Sequence, residues 1–563
     1  RRRHKLYPFE EAAHYQLKPI LWVILLIEMR YDYVIIGAGS AGAIVASRLS
    51  ENPSISVLLL EGGPDYPDFA TLPDDIKFGY STGTDLAVAD EHDWGYTAFV
   101  NGTANPKDSH PIPSGRTLRM PRGKLTGGTS SINGQIFLRA LTHDFDLWSK
   151  MGLEGWDYKS VLPFFRKLET DLDYSGDFHG KEGPILAHRF PKDEWTKPQM
   201  GFHKAALALG YPEVDDMNLP NAHGVGPFPC NNPAGIRMST SLGYLSQSRH
   251  RLNLTLRSKC TVQRLVVDNN SVTGVEVKSG GDNFIAEGNI IVLSAGALAN
   301  PRLLMLSGIG PSRHLNEIGI PTVNDLPGVG QNLSDHPQNF VHASVHDIEL
   351  LDTTAPRLQV GLRYTATRSN TRDDMLMWMG SYAVDGDYRD ILTAQRNKPA
   401  IDPTVTGIQM TISLYLATSK GSLRLKSSDP DDMPEICLNL LDTESDVSRM
   451  ADGVRKASNI MDSSEMSSVV KTRTIPTDKI LTDDKLLHRW LRKNTTTGNH
   501  LTSTCAMGPE YDPMAVVDHK CKVRGLDNLY IADASVMPEC VRANTNVTTM
   551  MVGERLADYL LST

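Results

Sequence analysis

A β-rich apolar run, Tyr33 to Ile36, leads directly into Gly37-Ala38-Gly39-Ser40-Ala41-Gly42, after which Ala43, Ile44, Ala46 and Leu49 fall at helical spacing. A second apolar strand, Val57 to Leu60, follows and ends in Glu61. Few local structures accommodate strand, spaced glycines, helix, strand and terminal acid together, and the βαβ unit of a dinucleotide site is one. There the first glycine makes the turn, the second lets backbone approach a pyrophosphate, and the third permits close helix packing. The helix N-terminus stabilises phosphate charge, and the acid accepts hydrogen bonds from a ribose diol. Glutamate at that point favours an unphosphorylated adenosine ribose, hence FAD or NAD over NADP, and these residues do not choose between the two. Spaced glycines alone also occur in ligand-free turns, so the weight rests on the flanking elements and Glu61.

A chain of 563 residues is far longer than one such unit and implies roughly two to four structural units. With 40% apolar and 22% charged residues it is of average globular composition, which excludes disorder, collagen and coiled coil as the main architecture. The balance of 57 basic against 66 acidic side chains, with no long basic stripe, gives no reason to expect a nucleic-acid partner. The six cysteines, Cys230, Cys260, Cys437, Cys505, Cys521 and Cys540, show neither a C-x-x-C pair nor metal-ligand spacing. They read as small buried hydrophobes, with no disulfide scaffold and no metal site expected. Near the N-terminus, Arg1-Arg2-Arg3-His4-Lys5 lies far upstream of an apolar run from Ile20 to Ile27 that is too short to span a bilayer and has no small-residue cleavage site after it. Met29 stands just before the first strand, so residues 1–29 are read as an extension outside the fold. The closing Leu561-Ser562-Thr563 is no peroxisomal or retention signal. No transmembrane span is expected, and the default location is cytoplasmic.

A second loop, Gly123-Lys124-Leu125-Thr126-Gly127-Gly128-Thr129-Ser130-Ser131-Ile132-Asn133-Gly134, is too polar and glycine-rich for core and reads as backbone wrapped around a ligand. Strands are predicted at Leu254 to Leu256, Val262 to Val267, Val272 to Val277 and Ile290 to Leu293, the last leading through Ala295-Gly296-Ala297 into a helix. The segments 160–240 and 337–494 carry more Pro, Asp and Asn and no glycine fingerprint. The expected organisation is therefore a dinucleotide-binding domain from 30–159, 241–336 and 495–563, and a substrate-binding domain from 160–240 and 337–494. Met375-Leu376-Met377-Trp378-Met379 reads as core, with Trp378 the candidate to face a substrate. Near the C-terminus, Gly498-Asn499-His500 precedes Thr504-Cys505-Ala506-Met507-Gly508, then a strand Leu529-Tyr530-Ile531, Ala532-Asp533-Ala534-Ser535, and a closing helix whose N-terminus lies near Asn544-Thr545-Asn546.

Together these segments resemble the glucose-methanol-choline (GMC) family of FAD-dependent oxidoreductases from about Tyr31 to Leu561. Five motifs agree in order: the fingerprint with Glu61, the 127–134 loop, Ala295-Gly296-Ala297 through Leu306-Ser307-Gly308-Ile309-Gly310-Pro311, Gly328-Val329-Gly330-Gln331-Asn332-Leu333-Ser334-Asp335-His336, and the C-terminal block. The resemblance implies an α/β chain (α+β overall), with a Rossmann-like FAD-binding domain and a substrate domain built on an antiparallel β-sheet flanked by helices. It implies that Gly37, Gly39, Ser40, Ala41 and Gly42 surround the diphosphate and that Glu61 binds the ribose. Val262 would contact adenine through its backbone. Gly127, Gly128, Ser130, Asn133 and Gly134 would lie along the flavin. Asp533 and Ala534 would approach the pyrophosphate and ribityl chain, and Asn544, Asn546 and Val547 would stand at the terminal helix start. Ile132 occupies the place where some choline-oxidising members carry a flavin-linking histidine, so the FAD is expected to be non-covalent. Departures from the family pattern include Leu501 for proline, Thr126 for an aliphatic residue and Asn300 for serine or threonine.

His500 matches the histidine the family places over the flavin, and Asn546 matches its second active-site position. The implied reaction oxidises an alcohol, with a primary alcohol the leading donor. A base of near-neutral pKa removes the hydroxyl proton as hydride leaves for flavin N5, and a carboxamide stabilises the developing alkoxide. The helix dipole at Asn546 and Val547 would favour anionic reduced flavin. Oxygen, a quinone or a protein would accept the electrons, and no residue chooses among them. The alternatives are a redox-neutral flavin lyase of the hydroxynitrile lyase type, a photodecarboxylase, disfavoured by His500 and by Tyr415-Leu416-Ala417-Thr418, and a non-catalytic flavin-binding protein.

Overall fold

The computed structural model describes residues 30–79, 89–103, 110–352, 354–384 and 405–563, so the extension expected over 1–29 lies outside them. Tyr31–Ile36 runs through the middle of a seven-stranded sheet, parallel to Val57–Leu60 on one side and to the second half of Asp282–Leu293 on the other. Leu254–Arg257 and Leu529–Ile531 extend the parallel set. Val34, Ile35, Leu59 and Val292 are fully buried, as strands covered on both faces require. The helix Gly42–Leu49 follows the first strand and packs on the terminal helix Thr545–Ser562. Gly553 sits at that contact, where a Cβ would lie 3.0 Å from the Ala41 carbonyl oxygen.

The strand expected to begin at Ile290 begins instead at Asp282. Its first half is polar and largely exposed and is held by an antiparallel neighbour, Ser271–Ser279, which in turn pairs with Thr261–Asp268. Hydrogen bonding defines that half, and no apolar pattern announces it.

The second large sheet has eight strands, all antiparallel. Its central path runs Val470–Ile475, Pro337–Val345, Val405–Leu414, Met375–Met379, Val360–Tyr364 and Gly224–Pro227. Period-two alternation splits its faces. Ile412 and Met375 meet the helix Glu444–Met461, where a Cβ on Gly453 would lie 2.7 Å from each. Gln409, Thr411 and Trp378 point the other way and line a cavity. A four-stranded sheet that the sequence did not announce joins the hairpin Tyr96–Thr103 and Ile112–Met120 to Ser422–Arg424 and Glu435–Cys437. It ties the 30–159 piece to the 337–494 piece. The short strand Thr496–Thr497 pairs with Pro337–Val345, bringing the approach to His500 onto the second sheet. All six cysteines are free and buried. Among the described residues no helix is long and apolar enough to cross a membrane.

Candidate active site

One continuous cavity runs from Glu61, Cys260, Thr261 and Val262, along both glycine loops, to His500 and the second sheet. The fingerprint glycines divide their work. Gly37 adopts φ +96°, and a Cβ on it would meet the Ser294 carbonyl oxygen at 2.6 Å. A Cβ on Gly42 would sit 1.9 Å from Gly37 O, so the third glycine lets the helix start directly on the turn. Gly39 alone of the three has room, its nearest neighbours lying 3.8 Å or more away, and it faces the cavity. The two loops are fastened together: Gly127 N donates to Ala38 O at 2.7 Å, and a Cβ on Gly128 would lie 2.7 Å from Gly39 Cα.

Glu61 accepts from Ala38 N and Gly63 N at 2.9 Å each. Burial pushes its pKa up to about 7 against the lowering effect of these amides. Asp533 accepts from Gly296 N (2.6 Å), Asn300 Nδ2 (2.7 Å) and both Ser535 N and Oγ (2.9 and 2.6 Å). Its carboxylate is saturated by protein donors, so it fixes the start of the helix Gly296–Leu306. Asn300, a departure from the family pattern, supplies one of those donors and also accepts from Ala295 N at 3.0 Å.

Of the expected cofactor residues, Gly37, Gly39, Ser40, Ala41, Glu61, Gly128, Asn133, Gly134, Val262, Asp533, Ala534, Asn544 and Asn546 line this cavity. Gly42, Gly127, Ser130 and Val547 are not among its lining residues. Ser130 donates to Gly127 O at 2.6 Å and shapes its loop from behind. An open approach at Gly39, two helix N-termini and a buried acid in place for a ribose diol fit an adenine dinucleotide.

At the other end, His500 is wedged between two side chains. Its Nδ1 lies 2.9 Å from His336 Nδ1, and its Nε2 lies 3.2 Å from Asn544 Nδ2. His336 continues through Nε2 to Cys540 Sγ at 3.0 Å. Asp335 fixes both imidazoles by accepting from the backbone N–H of His336 (2.8 Å) and of His500 (3.0 Å) and from the Thr497 hydroxyl. The amide of Asn544 donates toward His500 Nε2, which therefore carries the lone pair. The proton then sits on His500 Nδ1, bonded to His336 Nδ1, and His336 Nε2–H points at Cys540. Burial, reinforced by the Arg122 guanidinium, lowers His500 to about 3. Burial and the neighbouring His500 hold His336 well below the usual imidazole range. Burial pushes Asp335 up to about 6. A base poised near neutrality was expected, whereas His500 is locked neutral.

The sequence placed Asn546 opposite His500, and the structure does not bring those side chains together. Asn546 accepts from Ser40 Oγ at 2.7 Å, joining the terminal helix to the fingerprint loop. Two residues earlier, Asn544 precedes the helix as its cap and turns its side chain to His500. A two-residue step at the start of a helix rotates a side chain to a different face, which sequence spacing alone does not resolve. His336 and Asp335 were visible as the end of the fourth motif but carried no assigned role.

A second buried cluster lies away from this cavity. His179 Nδ1 is 2.9 Å from Asp171, and its Nε2 is 2.9 Å from Asp216. Arg189 pairs with Asp171 and Asp216 at 2.7 Å each, and Arg139 pairs with Glu169. Glu169, Asp171 and His179 bring ligand-type atoms within 4.8 Å of one another, but Arg139 and Arg189 already neutralise them.

The family model described as GMC oxidoreductase matches residues 31–338, and its C-terminal counterpart matches 417–553. An oxygen-dependent choline dehydrogenase of Staphylococcus xylosus is 33% identical over 546 residues, covering 94% of each chain. Another from Vibrio vulnificus is 33% identical and covers 95% of each. Among solved structures, pyridoxine 4-oxidase from Mesorbium loti superposes with a TM-score of 0.83 at 27% identity, covering 95% of this chain and 100% of that one. A variant of the formate oxidase of Aspergillus oryzae RIB40 gives 0.82 at 25% identity, covering 95% and 98%.

Proposed function

Because this chain belongs to the GMC oxidoreductase family and is an FAD-dependent alcohol oxidoreductase, we propose that it converts a primary alcohol to the carbonyl with His500 as the general base. The observation that carries this reading is the side-chain arrangement at the cavity wall: His500 Nε2 and Asn544 Nδ2 lie 3.2 Å apart, and the other nitrogen of His500 is engaged by His336. FAD, when bound, supplies the hydride acceptor. His500 Nε2 takes the hydroxyl proton, and Asn544 Nδ2 then stabilises the alkoxide oxygen without competing for that proton. His336 holds the imidazole in the tautomer with its lone pair on Nε2, where the substrate hydroxyl takes the place of the Asn544 amide, and Asp335 fixes the backbone that carries the ring. As His500 becomes imidazolium, His336 Nδ1 accepts its Nδ1–H.

The cradle residues that would hold FAD are Gly39, Ser40, Glu61, Gly128, Asn133 and Val262. Attachment is non-covalent at the position of Ile132, whose side chain is buried with Ile76 and Leu125 and offers no nucleophile. Oxygen, a quinone or a protein takes the electrons onward. Six free cysteines and no disulfide agree with a reducing, cytoplasmic setting. The test is anaerobic stopped-flow reduction of the holoenzyme. His500→Ala should slow flavin bleaching by at least about 10²-fold, and an unchanged rate would remove His500 from the base role.

A further inference from the structure

The wall of the cavity on the second sheet carries a charge pattern that alcohol oxidation alone does not require. Phe340, Thr411 and Trp378 stand in register across three adjacent strands, with Gln338 and Gln409 on the same face. Gln338, Gln409 and Thr411 are 7%, 6% and 6% exposed, and none makes a side-chain hydrogen bond among the described residues. None of their side-chain polar atoms is both buried and unpartnered, so all three open onto the cavity and offer donors and acceptors to a polar ligand. Arg357 lines the same cavity. Its carbonyl is fixed by Gln199 Nε2 at 3.0 Å and Ser381 N at 3.1 Å, and its guanidinium lies 5.6 Å from the centre of the Tyr382 ring. Among the described residues no carboxylate pairs with it. The carboxylates lining the cavity, Glu61 and Asp533, belong to the cofactor cradle and are occupied by backbone and side-chain donors.

We propose that the substrate is an alcohol bearing a carboxylate, joined to the hydroxyl by an apolar spacer. Arg357 takes the carboxylate, Phe340 and Trp378 cover the spacer, and the hydroxyl reaches His500. A guanidinium fork matches a carboxylate in shape and charge. A quaternary ammonium would instead meet a like charge with no counter-ion, so this wall selects against choline. The assignment rests on the reading of His500 as base, and its test keeps the two separable.

Holoenzyme is reduced anaerobically with 6-hydroxyhexanoate, 1-hexanol and choline, and its binding of hexanoate, which has no hydroxyl to oxidise, is followed by calorimetry. The expected result is that 6-hydroxyhexanoate is the best donor and that Arg357→Met lowers its kcat/KM relative to that of hexanol by about 30-fold. Arg357→Lys should retain most of that ratio, and Arg357→Glu should move the preference toward choline. Choline as the best donor of the wild type, or a ratio unmoved in Arg357→Met, overturns the proposal while leaving alcohol oxidation intact. If no alcohol bleaches the flavin, the base reading fails. The pocket assignment then stands if hexanoate binds in an Arg357-dependent way and falls if it does not.

Discussion

His500 and His179 are both shielded imidazoles, yet the structure drives them in opposite directions. His500 faces another histidine, a carboxamide and the Arg122 charge, and is lowered to about 3. His179 faces Asp171, Asp216 and Glu169, and its hydrogen bonds to these carboxylates overcome burial and raise it to about 10. Burial always disfavours the imidazolium, so the neighbours decide the sign. The neutral imidazole keeps its lone pair on Nε2, which the proposed base role requires. The charged one is fixed in an ion network in which Arg139, Arg189 and His179 balance three acids. If His500 is the base proposed above, one fold uses the same residue once for chemistry and once for structure.

The largest effect should come from breaking the structural cluster. His179→Leu leaves three buried carboxylates facing two guanidinium groups, and we expect a loss of about 3–5 kcal/mol of unfolding free energy, the range for a broken buried ion pair. Denaturant melts of the variant and wild type measure it. A loss below about 1 kcal/mol would mean the imidazolium is not needed. The pH sign follows from the shift. Because the folded pKa of His179 lies above the unfolded value, its contribution is complete below about pH 6.5 and is lost as pH rises toward 10. Wild-type stability should therefore fall through that alkaline window, and His179→Leu should flatten the fall.

A smaller effect separates the two asparagines. Asn544→Ala removes the donor beside His500 Nε2 and should slow flavin reduction by about 10²-fold. Asn546→Ala removes an acceptor for Ser40, and its cost, about 1 kcal/mol, should appear in FAD affinity. If Asn546→Ala impairs reduction more than Asn544→Ala, the assignment of the carboxamide reverses.

This pair also shows how far sequence reasoning reaches. The cofactor half was legible because backbone geometry builds it. Gly37 and Gly42 are demanded by contacts of 2.6 and 1.9 Å that any Cβ would violate, and such demands leave fixed spacings in the chain. Val57–Leu60 and Leu529–Ile531 were read correctly because parallel buried strands are apolar on both faces. The cavity wall on the second sheet is assembled from side chains on separate strands. Phe340, Thr411 and Trp378 meet only through an antiparallel register that no local pattern encodes. The strand Ile112–Met120 carries Pro113 and Gly115 and lacks an apolar face, so it gave no signal. Asn544 was missed for a finer reason: the motif gave the right three residues, and the cap geometry of the terminal helix decided which one turned inward.

The smallest expected effect is the one that tests the neutral histidine most directly. An unperturbed imidazole base would lose half its active form near pH 6.5. With His500 lowered to about 3, the lone pair on Nε2 is present throughout the range from pH 6 to 9. The groups around it are Asn544, which does not titrate, His336, itself held neutral, the Arg122 guanidinium, and Asp335, which burial pushes up to about 6, so a weak limb at the acid edge of that range would belong to Asp335 and not to the base. The anaerobic reduction rate should then change less than about twofold across that range and fall only in acid, because protonation is what removes the base. The same depressed pKa makes the folded state resist protonation that the unfolded chain accepts below about pH 6.5, so the stability held by His500 and His336 is lost as pH drops from there toward 3. A reduction limb centred between pH 6.5 and 7.5 that disappears in His500→Ala would show that bound cofactor and substrate restore its basicity. The contrast with His179 would then not extend to the working enzyme.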